Sequence, residues 1–400
     1  MLILTGPPGS GKTERLLDEY ARVLSSAGPG AVLWLAPTWR AAADVRRRLV
    51  SRLAGCFSPG ITTFSRFARL VVDSMPQMIQ PIDELMKREL VRRIIRRMQH
   101  QGQIEYLLPI VDKPGLLSLI CELIAELKRY EIWPDDFAKA CRLLGQRSKQ
   151  RELHAIYAAY QATLLEHSLY DDEGLLWSAR DWLGRVVEQL ACEEAGRQLT
   201  AAGNSLCQTL GRLKLVVADG FADFTRTQHE ILEILARCAR QLCVSLPLES
   251  EPVRAELFAK PLKTLAELKL RHKGVVVEQL ERSSVAHWPA LEHVERWLFG
   301  NPRNVPEGPE AEGIEILAAA RPIGELEQIG ARIKLLLARG KARADEIVVV
   351  FRTLDEVAGL VREVFGKLGI PFALDCRPAL RSCRALRAFA DLLWRELDEW

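Results

Sequence analysis

The sequence lacks most features that announce a membrane, secreted or metal-bound protein. No run in its 400 residues approaches the roughly 18 consecutive apolar positions of a spanning helix, so no membrane segment is expected. The amino terminus, MLILTGPPG, has no basic stretch ahead of an apolar core and does not read as a leader; a cytoplasmic location is expected. The nine cysteines (56, 121, 141, 192, 207, 238, 243, 376 and 383) include no Cys-x-x-Cys pair and have no histidine at zinc-finger spacing. They read as reduced, mostly buried thiols and nominate no metal or iron–sulfur centre. Charge is nearly balanced, with 55 basic against 52 acidic residues and a net of +3. Any nucleic-acid contact must therefore come from local patches. There is no internal repeat and no low-complexity tract.

What is present is a large apolar fraction, 48%, on a chain long enough for two or three domains. Leu2–Leu4 lead into a glycine-rich loop, and Lys12–Leu24 follow as a helix. AVLWLAP (Ala31–Pro37) is a second buried strand, Thr38 caps the next helix, and Ile61–Phe64 form a third strand. This alternation predicts a parallel α/β sheet over residues 1–80. Residues 81–210 change character: DELMKRELVRRIIRRM, LLSLICELIAELKRY, RELHAIYAAYQATLLEH and GLLWSARDWLGRVVEQL are all amphipathic at helical period. They read as an all-helical domain inserted into the α/β domain. The α/β pattern returns over 211–250, with LKLVVADGF, a helix at Thr227–Arg240 and QLCVSLPLE. Residues 251–312, rich in charge and proline, read as a linker. Residues 313–400 read as the truncated beginning of a second α/β domain, with strands at Ile314–Ala318, Glu346–Arg352 and Pro371–Leu374 and helices at Gly324–Ala338 and Asp355–Leu368. The chain ends inside a helical pattern, RALRAFADLLWRELDEW, as if cut within a larger architecture.

GPPGSGKT, from Gly6 through Pro7, Pro8, Gly9, Ser10 and Gly11 to Lys12 and Thr13, satisfies G-x-x-x-x-G-K-[ST] between a strand and a helix. The motif makes its backbone N–H groups and the helix N-terminus a cradle for phosphate. Lys12 is expected on the β- and γ-phosphates and Thr13 on magnesium, so the predicted ligands are ATP and Mg2+. Asp219, at the end of LKLVVAD, stands where an aspartate supports the magnesium shell; the alternative is a turn aspartate of an Asp-Gly pair. The next residue is Gly220, where many such ATPases carry the water-activating glutamate. Asp223 is the alternative base.

Together with this loop, LWLAPTWRAAADVRRRL and ITTFSRFARLV resemble the second helicase motif and the following threonine–phenylalanine motif of UvrD-like superfamily 1 proteins. VVADGFADFTRTQHEILEIL, LEHVERWLFGNP, ARPIGELEQIGARIKLLLARG, IVVVFRTLDE and LGIPFALD resemble the AddB family, one of the two subunit types of the ATP-dependent helicase/deoxyribonuclease. The resemblance spans nearly the whole chain. It implies RecA-like α/β domains, with nucleotide in the cleft between them. It also implies a subunit that partners an AddA-like helicase–nuclease on single- and double-stranded DNA ends, in double-strand break resection and recombinational repair. The resemblance further implies helicase domains that no longer translocate, and with Gly220 in place of the general base the chain is expected to hydrolyse ATP weakly or not at all. Two departures from the family's pattern matter: CVSLPLES replaces the Gly-Asp-x-x-Gln motif, and the sequence reaches Trp400 before any later helicase motif or nuclease, with no metal-carboxylate nuclease cluster recognisable in it.

The resemblance places Arg352 where an arginine reaches the γ-phosphate; the alternative is a solvated strand-end arginine. Thr38, Trp39, Arg40, Thr63 and Phe64 fall on the surface where this fold class contacts a nucleic-acid strand, with Trp39 either stacking on a base or in the core. Arg92, Arg93, Arg96 and Arg97 make a basic stripe whose plainer reading is a solvated face beside Glu84 and Glu89. Tyr157, Tyr160, Trp177 and Trp182 read as core. Two other functions stay open beside the AddB-like one: an active superfamily 1 DNA-dependent ATPase, and a purely structural interaction subunit stabilised by ATP.

Overall fold

Short apolar runs, buried on both faces in the central strands, build the centre of the protein. In the computed structural model they form a six-stranded parallel sheet. The structure describes residues 1–53, 55, 57–145, 147–193, 204–249, 254–281, 288–376, 385–389 and 391–392. In chain order the elements are β1 (Leu2–Gly6), α1 (Lys12–Ala27), β2 (Val32–Ala36), α2 (Trp39–Val50), β3 (Ile61–Thr63), α3 (Phe64–Asp73) and β4 (Gln80–Pro81). Four helices follow, α4 (Glu84–His100), α5 (Pro114–Arg129), α6 (Pro134–Leu143) and α7 (Ser148–Glu166). Then come β5 (Leu169–Tyr170), α8 (Asp172–Glu193), α9 (Asn204–Gly211), β6 (Leu215–Ala218), α10 (Arg226–Cys238), β7 (Gln241–Pro247), α11 (Ala259–Arg271) and β8 (Val276–Gln279). The last helices are α12 (Pro289–Trp297), α13 (Pro322–Ala338) and α14 (Leu354–Leu368). The chain divides into two units, Met1–Val285 with Phe299–Asn304, and Ala286–Leu298 with Val305–Trp400.

In the first unit the strand order is β3-β2-β6-β7-β1-β8, with every pair parallel. Successive residues of each strand enter opposite cores, as the two-residue period of a strand requires. Leu4, Val32, Trp34, Leu215, Val217 and Cys243 pack with Leu17, Tyr20 and Leu24 of α1 and with Val45 and Leu49 of α2. Ile3, Leu33, Leu35, Val216, Val244 and Leu246 face the opposite way, onto α3, α8, α9, α10 and α11.

Two boundaries differ from the sequence reading. The helical segment is not one body. Helices α4, α5 and α7 share their own core around Ile94, Ile120, Tyr157 and Tyr160, and this part is pinched at its base where β4 pairs with β5. Helix α8 lies beyond that neck and packs through Leu183 and Val186 into the core of the sheet. Its amphipathic pattern is the same as its neighbours', and only its partner differs. The segment read as a linker also contains secondary structure: α11 covers the sheet, and β8 extends it beside β1 with Leu2 opposite Val276 and Thr5 opposite Gln279. The Gly-Val-Val-Val run at 274–277 is the β-branched signal for that strand.

In the second unit α13 and α14 pack through Leu326, Ile333, Val361, Val364 and Phe365. A Cβ on Gly330 would lie 2.5 Å from Leu368 Cδ1, so a larger residue there would require that leucine to change rotamer. The segments expected as strands at 314–318, 346–352 and 371–374 hold no ladder among the described residues. Ile347, Val349 and Phe351 pack on the helices while Val348 and Val350 stay exposed. This is the alternation of a strand without a paired neighbour to close its backbone hydrogen bonds. The terminal helical pattern is described only at 385–389 and 391–392; its remainder lies outside the described residues. No helix among the described residues is long and apolar enough to cross a membrane.

Candidate nucleotide site

The site is assembled at the carboxyl ends of the strands, where an open α/β sheet presents its loops. Strand β1 ends at Gly6, and the chain turns through Gly9 and Gly11, both left-handed with φ 79° and 81°, before α1 begins at Lys12. Residues with a Cβ resist that region. Gly6 is required for a different reason: a Cβ there would sit 2.5 Å from Ser10 Oγ and 2.7 Å from the Leu280 carbonyl oxygen.

Lys12 folds over the loop. Its ammonium donates to the carbonyls of Gly6 at 2.7 Å and Pro7 at 2.8 Å and to Ser10 Oγ at 3.1 Å. The Ser10 N–H donates to Pro7 O at 3.2 Å, closing the turn. Pro8 is exposed. Burial lowers the Lys12 pKa, and the negative charge of Asp219 opposes that shift. Thr13, one residue into α1, donates its hydroxyl to Asp219 Oδ2 at 2.9 Å. Asp219 is buried at the end of β6, its N–H bonded to Leu35 O at 3.2 Å. Its other oxygen, Oδ1, accepts from Ser245 Oγ in β7. The Gly220 N–H in turn donates to Ser245 Oγ at 3.2 Å. An ammonium, a hydroxyl and a carboxylate gathered at a helix N-terminus suit phosphate oxygens and a hard divalent cation that prefers oxygen ligands.

Gly220 has φ 83°, so the position after Asp219 is one that glycine fills and an ordinary side chain resists. The alternative base, Asp223, is exposed and 3.5 Å from the Lys260 ammonium. Phe221 and Phe224, on either side of Asp223 in the chain, turn inward and meet Phe64 edge to face, with ring centroids 5.4 and 6.1 Å apart. This corrects the placement of Phe64 on the nucleic-acid surface. At 3% exposure it is a core residue that anchors the DGFADF loop and cannot stack on a base.

The other residues of that surface are arranged as follows. Thr38 and Thr63 cap α2 and α3, accepting the N–H groups of Ala41 at 3.1 Å and Arg66 at 3.3 Å. Trp39 is 66% exposed, which removes the core reading for it, and the Arg40 guanidinium lies 5.4 Å from its ring centre. The basic stripe of α4 is a solvent face on which Glu89 pairs with Arg92 and Arg93. Tyr157, Tyr160, Trp177 and Trp182 are buried. Arg352 is exposed in the second unit, just after Phe351.

Two polar networks had no signal in the motif reading. Thr227 and Arg226, within the Thr-Arg-Thr-Gln stretch, both bond to Glu131, whose partner Arg180 also holds Glu230. That stretch also carries a capping box between Thr225 and Gln228, and its sequence pattern, threonine followed three residues later by glutamine, is a readable signal. At the neck of the insert, buried Lys128 pairs with Asp171, just past β5, with the Tyr160 hydroxyl on Asp171 Oδ2 at 2.9 Å.

A parallel sheet with a glycine-rich turn after β1, a lysine and a threonine at the first helix, and an aspartate two strands away at the end of β6 is that of a RecA-like α/β protein. Residues 3–183 match the family model described as "ADDB, N-terminal". The chain is 26% identical over 380 residues to the AddB subunit of the ATP-dependent helicase/deoxyribonuclease of Carboxydothermus hydrogenoformans, covering 94% of this chain and 32% of that protein. It is 25% identical over 421 residues to the subunit of the same name from Bacillus licheniformis, covering 98% of this chain and 34% of that one. For the Bacillus subtilis protein of that name the identity is 24% over 396 residues, with coverage of 94% and 32%. Over nearly its whole length the chain is similar to AddB-type subunits, and it spans about a third of the length of the curated relatives it matches.

Proposed function

We propose that this chain is an ATP-binding, weakly or non-hydrolysing component of a helicase–nuclease that processes double-strand DNA ends for recombinational repair, beside an AddA-like partner. One observation carries the reading: the Thr13 hydroxyl meets the Asp219 carboxylate beside Lys12, while the following residue is a left-handed glycine. Lys12 would exchange its loop carbonyls for phosphate oxygens, and Thr13 and Asp219 would hold magnesium, which when bound supplies charge neutralisation for the triphosphate. Nothing at Gly220 can take a proton from water. Asp223 is directed to Lys260, so the reading as an active ATPase gains no support from it. Exposed Trp39 and Arg40, with the Thr38 and Thr63 caps, supply a stacking surface and positive charge for single-stranded DNA.

The test is calorimetry with ATP, with and without magnesium, joined to anisotropy of a labelled single strand across salt concentrations. Expected are magnesium-dependent ATP binding, turnover far below about 1 per second, and DNA binding that falls steeply with salt. Trp39→Ala should weaken DNA binding by about tenfold. Absence of ATP binding refutes the nucleotide site. Turnover at ordinary enzyme rates that Asp223→Ala abolishes makes the chain an active ATPase. ATP binding without DNA binding, even at low salt, makes it a structural interaction subunit.

A further inference from the structure

Within the sheet, Ser245 is a polar residue in an otherwise apolar strand. Register explains where it points. Ala218 of β6 lies opposite Val244 of β7, so the next residue along each strand brings Asp219 and Ser245 together. Leu4 of β1 is opposite Ser245 and belongs to the core shared with α1, so this hydroxyl faces the side of the sheet that carries the P-loop helix. It is 2% exposed and fully used: it donates to Asp219 Oδ1 and accepts the Gly220 N–H. Asp219 is thereby held from two sides, with Ser245 on Oδ1 and Thr13 on Oδ2.

A buried serine has simpler fates. In a strand interior its hydroxyl can bond a carbonyl of its own chain, and such a bond would say nothing of a site. Here it selects which carboxylate oxygen is left to face Thr13, and it ties the same contact to the peptide after Asp219. Without the hydroxyl, Asp219 keeps only the Thr13 contact on its side chain, and the Gly220 N–H loses its partner.

We propose that Ser245 is the positioning residue for magnesium at this site: it acts through Asp219, by fixing that carboxylate in the orientation that receives Thr13 and the cation. This rests on the nucleotide reading above. A hydrogen-bond partner behind a metal-supporting carboxylate commonly changes metal affinity by about 10–100-fold.

The experiment titrates magnesium against ATP binding in the 400-residue chain for wild type, Ser245→Ala, Ser245→Thr, Asp219→Ala and the Asp219→Ala/Ser245→Ala double variant. Melting temperature without ligand is recorded for each. Expected is a magnesium midpoint at least about tenfold higher in Ser245→Ala, with ATP binding in EDTA unchanged, and substantial recovery in Ser245→Thr, which keeps the hydroxyl. In the Asp219→Ala background, Ser245→Ala should add nothing. A purely structural serine would lower the melting temperature and leave the magnesium midpoint alone. A Ser245→Ala midpoint equal to wild type, or an equal further loss in the double variant, overturns the assignment while leaving the nucleotide site standing. A wild-type chain without magnesium-dependent ATP binding overturns both.

Discussion

Replacing Gly220 by glutamate would put a carboxylate where many P-loop ATPases carry one, and the structure gives two reasons why it should fail to create an enzyme. The first is conformational. At φ 83° a residue with a Cβ is strained by about 1–2 kcal/mol, while the space itself is not the obstacle: an added Cβ meets only Pro37 Cγ and Cδ, at an ordinary 3.5 Å. The second is direction. That Cβ points at Pro37, so the glutamate stem leaves on the Pro37 side. The strain converts to a melting-temperature loss of about 2–6 °C for a unit of this size. Gly220→Ala should show the same loss, because its cost is the backbone alone, and Gly220→Asn less, since asparagine tolerates the left-handed region better. Scanning calorimetry on the three variants and ATP turnover with saturating single-stranded DNA check this. A Gly220→Glu protein that melts with wild type, or that hydrolyses ATP at about 1 per second or faster, would refute the reasoning.

Lys12→Ala removes an ammonium that exchanges three neutral acceptors in the loop for phosphate. Since those bonds are given up on binding, the net loss should lie near the low end of about 1.5–3 kcal/mol for a charged hydrogen bond, a tenfold or somewhat larger fall in ATP affinity; calorimetry giving equal affinities would sink the P-loop assignment. Asp171→Asn leaves buried Lys128 without its counter-charge and should cost about 3–5 kcal/mol, read by denaturant titration near neutral pH. In the wild type, burial raises the Asp171 carboxyl, but Lys128 and the Gly174 N–H outweigh it and hold its pKa below 3.8. A depressed carboxyl contributes stability that is full above the unfolded value and is lost as pH falls through the folded one. The melting temperature of the wild type should therefore drop more steeply below about pH 4 than that of Asp171→Asn, and parallel acid limbs for the two would exclude this pair as a contributor.

The glycine-rich motif is legible in the sequence because it is local: eight consecutive residues, Gly6 to Thr13, flanked by a strand and a helix. Asp219 follows because a P-loop requires a partner strand. Ser245 does not, since its role depends on β6 and β7 lying side by side in one register, which neither strand's own pattern states. Motif analogy misplaces Phe64 against a plain periodic signal. Phe64, Phe67, Ala68, Val71 and Val72 are all buried, at the i, i+3, i+4, i+7, i+8 spacing of a core-facing helix stripe. Helix α8 reads as part of the insert because amphipathicity announces that a helix buries one face and not what it buries it against. In the second unit the strand pattern at Ile347–Phe351 is sound as a pattern, but a ladder is a property of two segments and a pattern describes only one.

The pinch between β4 and β5 makes the helical segment a cassette. Gln80 lies opposite Leu169 and Pro81 opposite Tyr170, so the chain leaves and returns as neighbours about 4.8 Å apart, little more than the roughly 3.8 Å between consecutive residues. Nearly ninety residues can thus be exchanged, lengthened or lost at this neck with about one residue of adjustment in the backbone. The junction alone does not isolate the cassette. Lys87 on Glu173, Lys128 on Asp171 and Glu131 on Arg180 and Thr227 all join it to what lies beyond the neck. An exchange that ignored them would leave Asp171, Glu173 and Thr227 without those partners at the foot of the sheet. Cutting at residues 81 and 210 instead would remove α8, and with it the cover of one face of the six-stranded sheet.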